Sequence, residues 1–228
     1  YIFISFLIII FWLIFPNTIL LLFLVVAAYH FGKEDTVFFF KKKYLISEFL
    51  FFLKGSSVIM APLLLNREET NDIFRMLNFN VFEAGVFSDQ FLITMLFLSF
   101  LSSLYISLKK NTDLKGLMVM DFFSLIILNV FLSPVLAFTV YFCFLHSIRH
   151  SISLIFELDR SFKLGLKKFT VKAIPLTFAT GVIFLFTIYF LNNFYNLDEA
   201  IYKVIFIGLA SLTFPHILLE YLLEKNEK

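Results

Sequence analysis

Apolar residues in this chain run on without a strand-like alternation, and short clusters of charge break the runs at intervals. Eight stretches are apolar over roughly a membrane's width, at about residues 1 to 15, 17 to 31, 44 to 65, 90 to 108, 116 to 133, 135 to 156, 173 to 191 and 201 to 222. A helix that crosses a bilayer needs about 20 mostly apolar residues, with short ones near 17. Each stretch is therefore a candidate crossing, the first two being short. Pro16-Asn17, between the first two, predicts either a tight turn or a kink in one long helix, and Pro134 does the same between the fifth and sixth. A membrane barrel would instead alternate apolar and polar positions over strands of about ten residues. The pattern predicts an all-α polytopic transmembrane helix bundle with about eight membrane-spanning segments, a single integral membrane domain over residues 1–228.

Composition agrees: 60% of residues are hydrophobic, 20% aromatic and 16% charged, against about 45–50% apolar and about 25% charged in soluble domains. A formal net charge of +2 is too small to imply a nucleic-acid partner. The single cysteine, Cys143, sits in an apolar run and provides no disulfide framework. The sequence starts at Tyr1 directly in "YIFISFLIIIFWLIF", without the charged region and small-residue cleavage site of a signal peptide. This reads as a transmembrane segment joined part-way, in an N-terminally incomplete chain.

Charge orients the segments, because short cytoplasmic loops carry the excess of Lys and Arg. Fourteen such residues follow the second, fourth, sixth and eighth segments: Lys33, Lys41, Lys42 and Lys43; Lys109, Lys110 and Lys115; Arg160, Lys163, Lys167, Lys168 and Lys172; Lys225 and Lys228. The alternate loops hold Arg67 and Arg75, with Lys203 just inside the last segment. The asymmetry predicts a multi-pass protein of the inner (plasma) membrane with a cytoplasmic C-terminus.

On that topology all four histidines, His30, His146, His150 and His216, fall in the cytoplasmic half of their segments. Polar groups inside a membrane are costly and mark function. His146 and His150, four residues apart in "FLHSIRHS", project from one helix face about a turn apart, a spacing that lets two imidazoles share one ion. With His30 and His216 at matched depth, the set predicts a metal site. Imidazole suits Zn, Cu, Fe and Ni. Neutral ligands leave the ion its full charge, which suits Fe(II) that binds dioxygen and does not exclude zinc. Carboxylates that orient the ligands are expected nearby, with Asp35, Glu48, Asp121, Glu157 and Glu220 as candidates. A guanidinium is repelled by a metal cation, so Arg149 is expected to pair with Glu157, Asp121 or Glu220 and to help hold its helix in register.

"AYHFGKED" (28 to 35), "HSIRH" (146 to 150) and "FPHILLE" (214 to 220), together with "KGSSVIMAPLLLN" (54 to 66), resemble in order and spacing the motifs of the Brp/Blh family of membrane-bound β-carotene 15,15′-dioxygenases. The resemblance runs from about residue 20 to residue 220. It implies an iron-dependent enzyme that cleaves β-carotene at its central double bond with dioxygen and gives retinal, commonly for a microbial rhodopsin. It further implies that His30, His146 and His150 bind iron, with His216 as a fourth ligand or a partner of one. The family's Pro-His-Gly and Asp-His signature in its first helix has no counterpart here, as an incomplete N-terminus would explain. A rigid hydrocarbon without a polar handle must be held by shape and apolar contact, and some of the 35 phenylalanines are candidates to line such a tunnel. Among rivals, a transporter would use the histidines as proton relays and often shows internal repeats, but the HxxxH pattern has no second copy. A lipid desaturase or hydroxylase generally needs more than four histidines, and a scaffold has no reason to confine them to one depth.

Overall fold

The computed structural model describes residues 1–36, 45–79, 87–108 and 116–226, without the side chains of 45, 46, 220, 221 and 223–226. Lys41, Lys42, Lys43, Lys109, Lys110, Lys115, Lys228 and the side chains of Glu220 and Lys225 lie outside the described residues. Every regular element among the described residues is helical. In order they are α1 (Ile2–Ile14), α2 (Pro16–Glu34), α3 (Leu45–Leu65), α4 (Arg67–Met76), α5 (Asp89–Leu108), α6 (Leu117–Phe131), α7 (Pro134–Val140), a π-helical stretch (Tyr141–Ser147), α8 (Ile148–Leu158), α9 (Phe162–Leu191) and α10 (Leu197–Asn226).

Six helices among the described residues are long and apolar enough to cross a bilayer: Pro16–Glu34, Ser47–Leu65, Asp89–Leu108, Pro134–Leu158, Phe162–Leu191 and Leu197–Leu219. Ile2–Ile14 and Leu117–Phe131, which match the first and fifth expected segments, are apolar helices short of that length. The structure thus supports a membrane helix bundle with six such spans and does not establish eight.

Both proline ambiguities resolve. α1 and α2 are separate helices joined by Phe15, whose φ −130° and ψ 62° cannot continue α1. A proline disfavours helical backbone at the residue before it, while Pro16 itself suits the first turn of α2. Similarly, Leu132 and Ser133 are extended and Pro134 opens α7. The expected segment 173 to 191 belongs to a helix that starts at Phe162, and its first three turns carry Lys163, Lys167, Lys168 and Lys172. Thirty residues make a helix about 45 Å long, so a cationic extension stands beyond the apolar part.

The helix α4 was not among the expected segments. It is amphipathic, with Thr70, Ile73 and Phe74 buried and acidic residues Glu68 and Glu69 in its first turn. Leu77, which follows it, completes the 70, 73, 74, 77 spacing of one helix face. A search for membrane-length runs passes over ten residues of this kind. α4 closes one end of the bundle and is tied on three sides. Asn66 Nδ2 donates to the Asn129 carbonyl at 2.6 Å, Arg67 pairs with Asp89 at 2.5 Å, and Lys203 Nζ donates to the Met76 carbonyl at 2.5 Å.

The closest helix crossing is α2 on α3. A Cβ added at Gly32 would lie 1.7 Å from the Phe51 carbonyl oxygen, and one at Gly55 would lie 1.8 Å from that of Ala28. In a membrane, where lipid tails are as apolar as side chains, small residues drive association by letting backbones meet. A neighbouring face of α3 receives α5 through serines: Ser99 Oγ donates to the Lys54 carbonyl at 3.0 Å, and Ser102 Oγ to that of Leu50 at 2.8 Å. Trp12, Leu20, Phe23, Phe31, Leu92, Leu125 and Tyr141 join the buried core around this pair.

We expect Gly55→Ala to force the two backbones apart, since overpacking costs about 1–3 kcal/mol. For a chain of this size that lowers the melting temperature by about 2–12 °C. Gly181→Ala, where an added Cβ meets nothing within 4 Å, should not lower it. Thermal melts of the two detergent-solubilised variants against the parent check the contrast, and equal melts would remove the crossing as a determinant of stability.

Candidate metal centre

Three of the six apolar spans, Pro16–Glu34, Pro134–Leu158 and Leu197–Leu219, carry the four histidines to one place. His30 lies near the end of α2, His146 in the π-helical stretch, His150 in α8 and His216 in the second half of α10. Ring centroids are 5.7 Å apart for His30 and His146, 5.4 Å for His30 and His216, and 6.0 Å for His150 and His216. The rings face a cavity of about 400 Å³ whose wall also includes Phe31, Phe142 and Leu209. The expected convergence of all four residues is therefore present in the fold.

The chain from His146 to His150 is not the regular α-helix that their spacing implied. A π-helical stretch runs through Tyr141–Ser147 and includes His146, and such wide turns occur frequently at functional sites. His146 is buried, whereas His150 is partly exposed.

Behind the rings stand two adjacent carboxylates at the end of α2. Asp35 Oδ1 accepts from His146 Nδ1 at 3.1 Å, and Glu34 Oε2 lies 2.9 Å from His150 Nδ1. A carboxylate on Nδ1 sets the tautomer and directs Nε2 toward a ligand, as is usual for metal-binding histidines. Asp35 is 2% exposed and serves more than one ring. Its Oδ2 accepts from Lys54 Nζ at 3.1 Å and from the Tyr141 hydroxyl at 2.8 Å. Arg149 Nη1 lies 3.8 Å from Oδ1. Asp35 sits one residue beyond the α2 span. Burial works against its charge, but the Lys54 ammonium, the hydrogen bond with His146 and the Arg149 guanidinium outweigh burial and hold the carboxyl well below the usual carboxylate range.

Arg149 points away from the rings and grips Asp121 with both ends of its fork, at 2.9 and 3.0 Å. Asp121 was one of the three carboxylates expected for it. Glu157 is exposed on α8, and the side chain of Glu220 lies outside the described residues. Glu48 accepts from the Tyr29 hydroxyl. Sequence reasoning missed Glu34, Lys54 and Tyr141. Glu34 had a signal, since it stands one turn after His30 and beside Asp35. Lys54 had a stronger one, because a lysine within an apolar span demands a partner.

Two imidazoles on one ion, with metal–nitrogen distances near about 2.0–2.1 Å, have ring centroids roughly 5 Å apart. The observed separations are slightly wider. Among the described residues no three His, Cys, Asp or Glu side chains already stand as a formed metal-holding group. The donor set nevertheless fits an ion that accepts imidazole: four rings meet at one cavity wall, and two of them are backed by carboxylates.

The polar layer behind the rings predicts a specific coupling. Asp35→Asn strands the Lys54 ammonium, and a buried charge without its partner costs about 3–5 kcal/mol. The double variant Asp35→Asn with Lys54→Met should recover part of that loss in thermal melts. A double variant no more stable than the single one would show that the Lys54 pair is not what the aspartate stabilises.

A protein family described as "Beta-carotene 15,15'-dioxygenase" matches residues 1–224. A curated relative of that same name from Uncultured marine bacterium 66A03 is 35% identical over 100 residues, which cover 43% of this chain and 35% of the relative. The aligned part thus spans about a third of the relative's length. No solved structure matches. The family match runs from α1 into the last turn of α10 and takes in every residue of the histidine cluster, so the chain belongs to the β-carotene 15,15′-dioxygenase family.

Proposed function

We propose that this protein uses dioxygen to cleave β-carotene at its central double bond, releasing retinal, with Fe(II) held by the four histidines. The observation that carries the reading is the placement of His30, His146, His150 and His216 on the wall of one largely apolar cavity. The family match supports the substrate. Iron and dioxygen rest on the donor set, neutral imidazoles backed by carboxylates.

Bound iron supplies the activation of dioxygen; the chain supplies position, dryness and tuning. His146 and His150 offer Nε2 to the cavity because Asp35 and Glu34 occupy their Nδ1 sides. The Tyr141 hydroxyl and the Lys54 ammonium share Asp35, so the carboxylate stays charged and keeps His146 in one tautomer. On the cavity side, Phe31 meets the His146 ring edge-on at 4.8 Å and Phe142 stacks on it at 5.7 Å. These rings exclude water from the place where a polyene without polar groups must lie. The two shorter helices α1 and α6 complete, in this reading, an eight-crossing bundle in the plasma membrane with its C-terminus cytoplasmic.

Expression of the protein in β-carotene-producing bacteria tests the activity: loss of orange colour with appearance of retinal is the expected result, and persistent colour sinks it. His146→Ala and His150→Ala should each abolish retinal formation and lower the iron measured per purified chain. Glu34→Gln should leave a folded protein whose iron affinity falls by about 10–100-fold, read by titration with Fe(II). Retention of iron and activity in either alanine variant would remove the histidines from the ligand set. For topology, a reporter after Lys228 should be cytoplasmic and one within 192 to 199 external, with the reverse result overturning the proposed orientation.

A further inference from the structure

A second cavity, of about 260 Å³, adjoins the histidine-lined one and is almost wholly apolar. The two share Phe23, Ala27, Phe31, Phe138, Phe142 and Leu209 in their walls. They lie in line along the helices. Phe169 of α9 borders the first and Phe184 the second, and fifteen residues of helix separate them by about 22 Å. In α10, His216 lines the first cavity while Tyr202, Ile205 and Phe206 line the second.

One aromatic row connects them. Phe138 and Phe142 stack at 5.7 Å with 21° between their planes, and Phe142 and His146 stack at 5.7 Å and 26°. The row leads from the second cavity to the proposed metal ligands, and a flat conjugated chain is the kind of molecule that lies along such faces. Ile73 and Phe74 of α4 line the second cavity and form its floor. That floor is fixed, because Lys203 holds the end of α4 and also pairs with Glu199 at 2.8 Å.

We propose that this second cavity is the seat of one half of the polyene, its terminal ring lodged between Val135 and Ile205 against α4, while the other half lies in the histidine-lined cavity. The inference rests on the carotenoid-cleaving reading and adds to it a ruler. Val135 and Ile205 each stand eleven residues, about 16 Å along a helix, from His146 and His216. A floor at fixed distance from the histidines brings the middle of a two-ringed polyene to them and holds other double bonds away. A symmetrical substrate thus meets two different seats, of which only the one floored by α4 measures.

The test fills the measuring end. Val135→Trp and Ile205→Trp approach the ring position from different helices, and both residues are partly exposed, so the bundle tolerates the added bulk. Retinal formation and substrate consumption are measured with β-carotene and with an apocarotenal in which one half is cut short and carries no ring. The parent should cleave both. Either variant should lose β-carotene cleavage by about ten-fold or more while consuming the apocarotenal within about two-fold of the parent's rate, because the short half stops before the new indole; with no ring against the floor, those cuts should spread to bonds beside the one that yields retinal. Ile127→Trp, on an outward face that lines neither cavity, should change neither rate. If both variants cleave the two substrates in the parent's ratio, the seat is not there and the proposal is overturned, although the cleavage reading stands. If the parent forms retinal from neither substrate, the cleavage reading fails and this inference falls with it.

Discussion

A buried carboxylate organises this protein. Asp35 sits where α2 ends, and four side chains from three other parts of the chain turn toward it: Lys54 from α3, Tyr141 and His146 from the π-helical stretch, and Arg149 from α8. Moving a charge out of water is expensive, and the cost is offset only when partners saturate it. Here these partners anchor α3, the π-helical stretch and α8 to the end of α2, so the electrostatic requirement becomes a geometric one. The glycine crossing serves the same end. Because the backbones of α2 and α3 touch at Gly32 and Gly55, the next residue back, Lys54, is held within reach of the aspartate.

His146 stands at the boundary between two environments. Its Nδ1 side belongs to the polar layer of Asp35, Tyr141 and Arg149, with Asp121 beyond. Its other faces belong to Phe31, Phe142 and the cavity. The separation suits the site proposed above: the charges lie on one side of the ring, and the cavity surface on the other side is largely apolar. Arg149 illustrates the division. It lies three residues after His146 and directly before His150, yet its fork is turned to Asp121 and away from the cavity.

Much of this was legible in the sequence because membrane proteins restrict where polar residues stand. Long apolar runs gave the helices, and four histidines without one in any loop gave the cluster. Asp35 and the Arg149–Asp121 pair were within reach for the same reason, being charges with few places to go. What escaped was set by tertiary contact. Tyr141 reads as one more aromatic residue in an apolar stretch until Asp35 is placed beside its hydroxyl. The amphipathic α4 falls below membrane length, and the alignment of the two cavities depends on which residues of α7, α9 and α10 the fold sets in their walls. The wide turn at Tyr141–Ser147 leaves no compositional mark at all, since nothing in "YFCFLHS" is a helix breaker.

That wide turn makes the count of residues between Pro134 and His150 a functional quantity. On a regular α-helix each step of four residues drifts by about 40°, so Phe138, Phe142, His146 and His150 would spiral off a common face. A π-helical turn holds more residues and drifts the other way, which returns the stripe to one line. Loss of a single residue inside Tyr141–Ser147 would restore ordinary helical bonding, and by backbone criteria improve it. It would also rotate everything beyond it by about 100° and uncouple the stacked phenylalanines from the imidazoles they lead to. Apart from Tyr141, Phe142 and His146, side chains of this segment can be exchanged for others of similar shape, but an insertion or deletion here takes the site apart while leaving the fold in place.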